Sequence, residues 1–135
     1  MQFIILNISN HLSSLWSDTQ IQACKAFAIN RSQEEYPKIT AADVTIVDVP
    51  FPRIDPYLDD DGIELLACEF AFEKTTPDKQ REIIGVHLMG EQSFCMALRP
   101  YLACPVFVST TERIVTELPD GTKQSTFRFV QMRAI

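Results

Sequence analysis

Four short segments rich in apolar residues predict strands, and the first of them, residues 3–6, is a continuous apolar run of the kind that is buried on both faces. The segments are rich in Ile, Val, Leu and Phe, which is typical of the strands of a parallel sheet. They lie at residues 3–6, 44–49, 82–89 and 106–108.

Helical spacing of apolar residues fills the intervals between these runs. A stripe at i, i+3, i+4, i+7 and i+8 covers residues 63–71 and again residues 94–102, where nearby prolines end it. Ser17 followed by Gln20 matches a capping box, which predicts the start of a further helix. Strands that alternate with helices imply a parallel sheet with right-handed connections.

The last part of the chain changes character. Asp120-Gly121 separates two strand-like segments, residues 114–117 and 126–132, and Asp-Gly in that position is a strong hairpin signal. The sequence therefore predicts one α/β domain over residues 1–135. We expect a mainly parallel sheet with helices on both faces and a C-terminal β-hairpin.

Composition and charge exclude several classes of partner. The formal net charge of −6 on 135 residues disfavours duplex nucleic acid and anionic membranes, since both would be repelled. No secretory signal and no apolar stretch of transmembrane length is present, so we expect a cytoplasmic protein. The cysteines lack any Cys-x-x-Cys spacing and are interpreted as reduced, small hydrophobic residues: Cys24, Cys68, Cys95 and Cys104.

Polar side chains are dense where the predicted strands end. In an open parallel sheet, ligands bind beyond the carboxyl ends of the strands. The candidate residues there are Ser9, Asn10, His11, Gly90, Glu91, Gln92, Ser93, Thr110, Thr111 and Arg113.

The turn from Gly90 to Ser93 leads directly into a predicted helix. Free backbone N–H groups at a helix start can hold a phosphate, although the turn has one glycine and matches no dinucleotide or Walker motif. The alternative interpretation is that Ser93 only caps its helix.

Two histidines have different expected roles. His87 lies inside an apolar strand, which favours a hydrogen-bonded core residue. His11 follows a strand in a polar loop, where an imidazole can move protons near neutral pH. His11 is therefore the candidate catalytic group, with an ordinary loop residue as the alternative.

Arg113 is the second candidate catalytic residue, because a planar guanidinium beside the hydroxyls of Thr110 and Thr111 suits a phosphate. An ion pair with Glu112 or Glu117 is the alternative.

Three further patterns are missing or have simpler explanations. The acids at residues 59–61 suit a helix start, no cluster has metal-ligand spacing, and no Gly-x-Ser-x-Gly nucleophile motif occurs. We expect no cofactor.

Three parts of the sequence together resemble a family of small bacterial CRISPR-linked proteins. They are residues 7–11 with Trp16-Ser17, residues 86–91 with 109–113, and the tail at residues 120–123 and 127–130. That family is similar to the CRISPR-associated Rossmann fold (CARF). The likeness spans most of the chain, from Asn7 to Arg133, and departs from the expected pattern at Leu12 and Leu15.

The resemblance implies a Rossmann-like domain that binds a cyclic oligoadenylate second messenger in antiviral defence. It also implies a homodimer, whose two-fold axis would match a ring-shaped ligand. Cleavage by a metal-independent ring nuclease would use the 2′-hydroxyl of the ligand itself. A non-catalytic interaction protein, which dimerises or binds a partner through the C-terminal ribbon, is the alternative.

Overall fold

Five strands and three α-helices alternate along the chain in the predicted order. The computed structural model describes residues 1–135. The strands are β1 (Gln2–Ser9), β2 (Val44–Pro50), β3 (Arg81–Leu88), β4 (Val106–Glu117) and β5 (Lys123–Ala134), and the helices are α1 (Asp18–Arg31), α2 (Asp60–Lys74) and α3 (Gln92–Leu98).

The strands form one sheet in the order β2-β1-β3-β4-β5. The first four strands are parallel, and β5 pairs antiparallel with β4. One hydrophobic cluster packs α2 and α3 on one face, and a second packs α1 on the other. The predicted Rossmann-like α/β class, with helices on both faces and a terminal hairpin, is confirmed.

Two strands are longer than their apolar runs, which corrects the predicted loops. Asn7 and Ser9 lie within β1 and are buried rather than following it, because β1 pairs along its whole length with a strand on each side. Thr110, Thr111 and Arg113 likewise lie within β4, which β5 accompanies to its end.

The third helix is shorter than its apolar stripe. It ends at Leu98, and residues Arg99–Tyr101 continue as a 3-10 turn that contains Pro100. Proline is tolerated there because the first residues of a helical turn need no N–H donor. Leu102 is still buried, so the stripe correctly identified the core-facing side.

Helix starts are capped largely as the sequence indicates. The Ser17 hydroxyl accepts from the backbone N–H of Gln20 at 3.2 Å, although the Gln20 side chain turns elsewhere. Asp59 caps α2 by accepting from the N–H of Gly62 at 2.9 Å, so these acids serve a helix start.

Strand β4 meets β3 only briefly. The pairing covers Val86 with Val106 and His87 with Phe107. Before that point β3 has no strand on its β4 side, which leaves an opening in the sheet that we call the gap. After that point β4 and β5 continue as a two-stranded ribbon, which we call the arm (residues 110–117 and 123–131).

No α-helix of the structure combines the length and the apolar character needed to cross a membrane.

Candidate functional site

The carboxyl ends of β1 and β3 form the topological switch point of the sheet. From β1 the chain crosses to β2 on one side and then passes over to β3 on the other. In open α/β sheets the crevice at such a point is where ligands bind. Asn10 and Gly90 follow these two strands, each two residues beyond the paired residues Ile8 and Leu88.

A chain of hydrogen bonds, buried at Asn7, His87 and Ser109, crosses four strands next to this crevice. The Nδ2 of Asn7 donates to Asp48 Oδ1 at 2.8 Å, and Asn7 Oδ1 lies 2.9 Å from Nδ1 of His87. The Nε2 of His87 lies 2.8 Å from Ser109 Oγ, which accepts from Gln20 Nε2 at 3.0 Å. We call these five residues the polar network.

The partners of His87 fix its tautomer. An amide oxygen can only accept, so Nδ1 of His87 carries the proton and donates to Asn7. In the neutral ring Nε2 then accepts from the hydroxyl of Ser109. Every donor in the polar network therefore points toward Asp48, an arrangement in which successive bonds polarise one another.

His87 is held neutral by its surroundings. Its side chain is 2% exposed, and the Trp16 ring covers it edge-on at 4.8 Å between centroids. Burial, together with the nearby His11, lowers the pKa of His87 from 6.5 to about 4. This histidine is the hydrogen-bonded core residue that the sequence predicts.

The polar network also holds the loop that follows β1. Asn7 Nδ2 donates to the carbonyl of His11 at 2.8 Å, and the N–H of His11 donates to Ser9 Oγ at 3.2 Å. Asp48 accepts from the N–H of Ser13 at 3.0 Å. The backbone of residues 10–13 is thus fixed from below, while the side chains of Asn10 and His11 stay exposed.

Hydrogen bonding also sets the charge of Asp48. Burial alone would raise its pKa, but the hydrogen bonds from Asn7 and Ser13 outweigh burial and lower it. A carboxylate is therefore maintained at the β2 end of the crevice.

Two cavities open at the carboxyl ends of the strands. A cavity of about 200 Å³ is lined by Ser9, Asn10 and Phe51 among others. A larger one, of about 550 Å³, is mostly apolar and includes Gly90 and Gln92. The Phe51 ring packs so closely on Gly90 that a Cβ there would lie 2.3 Å from Phe51 Cε2, which explains the glycine.

The turn before α3 is occupied by its own side chain. Glu91, rather than Ser93, is the N-cap residue, and its carboxylate accepts from the N–H groups of Ser93 and Phe94 at 3.1 and 2.8 Å. These bonds, led by that from the Ser93 hydroxyl, lower the pKa of Glu91. The N–H groups predicted to hold a phosphate already hold a carboxylate.

The candidate residues of β4 spread along the arm. Ser109 lies at its base in the polar network, and Thr110 Oγ1 donates to the carbonyl of Gln131 at 3.1 Å. Arg113 lies four residues beyond Ser109, roughly 13 Å along an extended strand. Its Nε and Nη2 donate to Ser125 Oγ at 3.1 and 2.8 Å.

Glu112 pairs with Arg128, so the predicted alternative of a Glu112–Arg113 ion pair is not formed. The structure thus places the β1 loop and Gly90 after the carboxyl ends of neighbouring strands, and it places Arg113 farther away on the arm. No three or more His, Cys, Asp or Glu side chains are grouped so that they could hold a metal ion.

Sequence reasoning missed the polar network, although a signal existed. In each of the strands β1, β2 and β3, a polar residue stands among apolar ones near the carboxyl end: Asn7, Asp48 and His87. Because the strands are parallel and their ends are aligned, these polar residues fall in one row.

A scan against protein-family models, a search of curated proteins and a search of solved structures each found no match. Function is therefore argued from the site itself.

Proposed function

We propose that this protein binds a nucleotide second messenger, a cyclic oligoadenylate, at the carboxyl ends of β1 and β3. The observation that carries the proposal is the immobilised loop at the topological switch point. Asn7, Ser9 and Asp48 fix the backbone of residues 10–13 through four hydrogen bonds to its N–H and carbonyl groups. A loop ordered before binding loses little entropy when a ligand arrives.

The groups around this loop suit a nucleotide. Asn10 offers an amide for the edge of a base, and Phe51 offers an aromatic ring beside the same small cavity. A separate cavity of about 550 Å³, with Gly90 and Gln92 in its lining, has the size and apolar character of a small-molecule site.

Arg113 supplies the positive charge for a phosphate from the arm. Ser125 orients its guanidinium through Nε and Nη2, which leaves Nη1 for an anion. A ring-shaped ligand spans several nucleotides, and in a homodimer it would meet the loop of one copy and the arm of the other.

Ring cleavage is the catalytic extension of this proposal. The 2′-hydroxyl of the ligand attacks the adjacent phosphorus, and the bond to the 5′-oxygen breaks. The products are a linear chain with a 2′,3′-cyclic phosphate and a 5′-hydroxyl, and the proton passes from the 2′-oxygen to the 5′-oxygen. His11 moves that proton, since its side chain is exposed at the crevice, whereas His87 is buried and neutral.

A thermal-shift and turnover experiment tests both parts. A ligand that binds only the folded state raises the melting temperature. Cyclic oligoadenylates should therefore raise it, and the mononucleotide AMP should not. Asn10→Ala should weaken binding by about tenfold, the loss of one good hydrogen bond. Asn30→Ala, an exposed amide at the far end of α1, is the matched control.

Two further variants separate binding from cleavage. His11→Ala should abolish the appearance of linear product and leave the thermal shift intact. Arg113→Ala should weaken binding, whereas Arg128→Ala, which alters the opposite face of the arm, should not. Unchanged turnover in His11→Ala removes this residue from the mechanism, and no shift with any ring size sinks the binding proposal.

The second candidate function is an interaction protein that uses the arm. Phe127 is 72% exposed and Val115 is 53% exposed, and register places both on one face of the ribbon. Large apolar side chains on an uncovered ribbon are typical of a dimer or partner surface. A chain that ignores nucleotides but whose sedimentation coefficient rises with concentration would favour this function.

A further inference from the structure

A large cavity lies at the other end of the sheet, in the gap between β3 and β4. It measures about 790 Å³. It exists because the chain at residues 103–105 approaches β3 only at Val86, whose N–H donates to the carbonyl of Pro105 at 2.9 Å. Residues 82–84 of β3 therefore face open space where a neighbouring strand would normally lie.

The inner surface of this cavity is apolar. Ile83, Ile84 and Ala71 line it from the sheet and from α2. Phe72 and Tyr101, both exposed, stand at its opening. A volume of this size with an apolar lining and aromatic walls suits an organic molecule rather than a bare ion.

The rim of the cavity is acidic. Glu34, Glu35 and Glu82 all contribute to its lining. The fourth charged residue, Arg31, stacks its guanidinium on the Phe27 ring at 4.3 Å. Three carboxylates against one arginine give the opening a net negative charge.

Tyr36 joins the acidic rim to the apolar interior. Its ring packs edge-on against Phe3 at 5.0 Å between centroids. Burial, together with the nearby carboxylates of Glu82 and Glu35, raises the pKa of Tyr36 to about 12. Glu82, Glu35 and Tyr36 all line the same cavity, where a bound positive charge would be attracted to the two carboxylates.

We propose that the gap cavity is a second binding site that takes a small organic cation, an amine carried on an apolar or aromatic body. The body lies against Ile83 and Ala71, and the ammonium group lies beside Glu82, Glu35 and the ring of Tyr36. Carboxylates supply the charge, and aromatic faces add cation–π attraction. This site is independent of the nucleotide crevice.

The test is a titration followed by amide resonances. 2-Phenylethylamine has the proposed body and head group, and 3-phenylpropionate has a similar body with a carboxylate. The amine should shift the amides of Ile83, Ile84 and Ala103, and it should bind at least about tenfold more tightly than the acid. Ethylamine, which lacks the body, should shift none of them.

Two pairs of variants localise the effect. Glu82→Gln should weaken amine binding about fivefold, the size expected of one partly exposed ion pair, whereas Glu69→Gln, outside the cavity lining, should leave it unchanged. Cys68→Trp places a large ring in the opening and should abolish binding, while Leu65→Trp on an exposed position of the same helix should not.

Equal affinity for the amine and the acid would overturn the proposal, and so would shifts confined to amides outside the cavity. Shifts of the same amides on raising the protein concentration without amine would show that a second copy fills the gap, which would also overturn it.

Discussion

At the scale of single residues, His87 is the clearest case of a group whose chemistry is set by its neighbours. An isolated histidine would be partly charged near neutral pH. Here the acceptor Asn7 and the donor Ser109 satisfy both ring nitrogens of the neutral form. Protonation would bury a positive charge under Trp16, so the fold selects the neutral ring.

This arrangement predicts a loss of stability in mildly acidic solution. The pKa of His87 is about 4 in the folded state and 6.5 when unperturbed, so the unfolded chain binds the proton first as the pH falls. The stabilisation is complete above pH 6.5 and is lost as the pH falls toward 4. We expect the free energy of unfolding to fall by about 2 kcal/mol between pH 7 and pH 5, as measured by urea denaturation.

The two histidines of the chain provide matched variants for that measurement. His87→Asn should remove most of the decline, and His11→Asn should retain it. Five carboxyl groups with lowered pKa values also stabilise the folded state, but their contribution is lost in a separate, more acidic range, below their ordinary pKa values of 3.8 to 4.5. These groups are Asp43, Asp48, Asp78, Glu91 and Asp120. A decline of equal size in His87→Asn would show that another group causes it.

At the scale of elements, β4 and β5 are each twelve residues long but are supported over only part of that length. Their base, at Phe107 and Met132, is buried in the α1-side cluster. The outer part of the arm, residues 112–117 and 123–128, is exposed except at Ile114. A two-stranded ribbon of that kind is marginally stable in water by itself.

The protection of backbone amides from hydrogen exchange should therefore decrease from the base of the ribbon to its tip. We expect amides of residues 112–117 and 123–128 to exchange at least about a hundredfold faster than those of residues 106–109, since local opening of the arm leaves the core intact. Peptide-level deuterium uptake measures this difference. Equal protection at high dilution would contradict it, and protection that appears only at high concentration would show that a second copy covers the arm.

At the scale of the whole molecule, the sequence predicted the alternation of strands and helices correctly because apolar periodicity reports burial directly. Asn7 and Ser9 were expected beyond β1, since polar residues in a strand signal its end unless a partner buries them. Those partners, Asp48 and His87, are 41 and 80 residues away from Asn7. No local pattern contains such pairs. The gap could not be predicted from the sequence either, because it results from how β4 approaches β3 in the folded chain.

The overall charge of the chain leads to a prediction about nucleic-acid binding. With a net charge of −6, no long-range attraction to a duplex exists to offset the repulsion of its phosphates. A double-stranded oligonucleotide should therefore show no mobility shift at physiological salt with micromolar protein. A retarded band that weakens with added salt would contradict this expectation.

The common direction of the donors in the polar network limits which amino-acid substitutions its positions can accept. Replacing Asn7, His87 or Ser109 alone reverses or removes one donor and leaves two neighbours without a partner. An apolar residue at one of these positions is tolerated only when the others change with it. Related sequences should therefore either keep all the residues of the polar network or replace several of them at once, so that these positions covary.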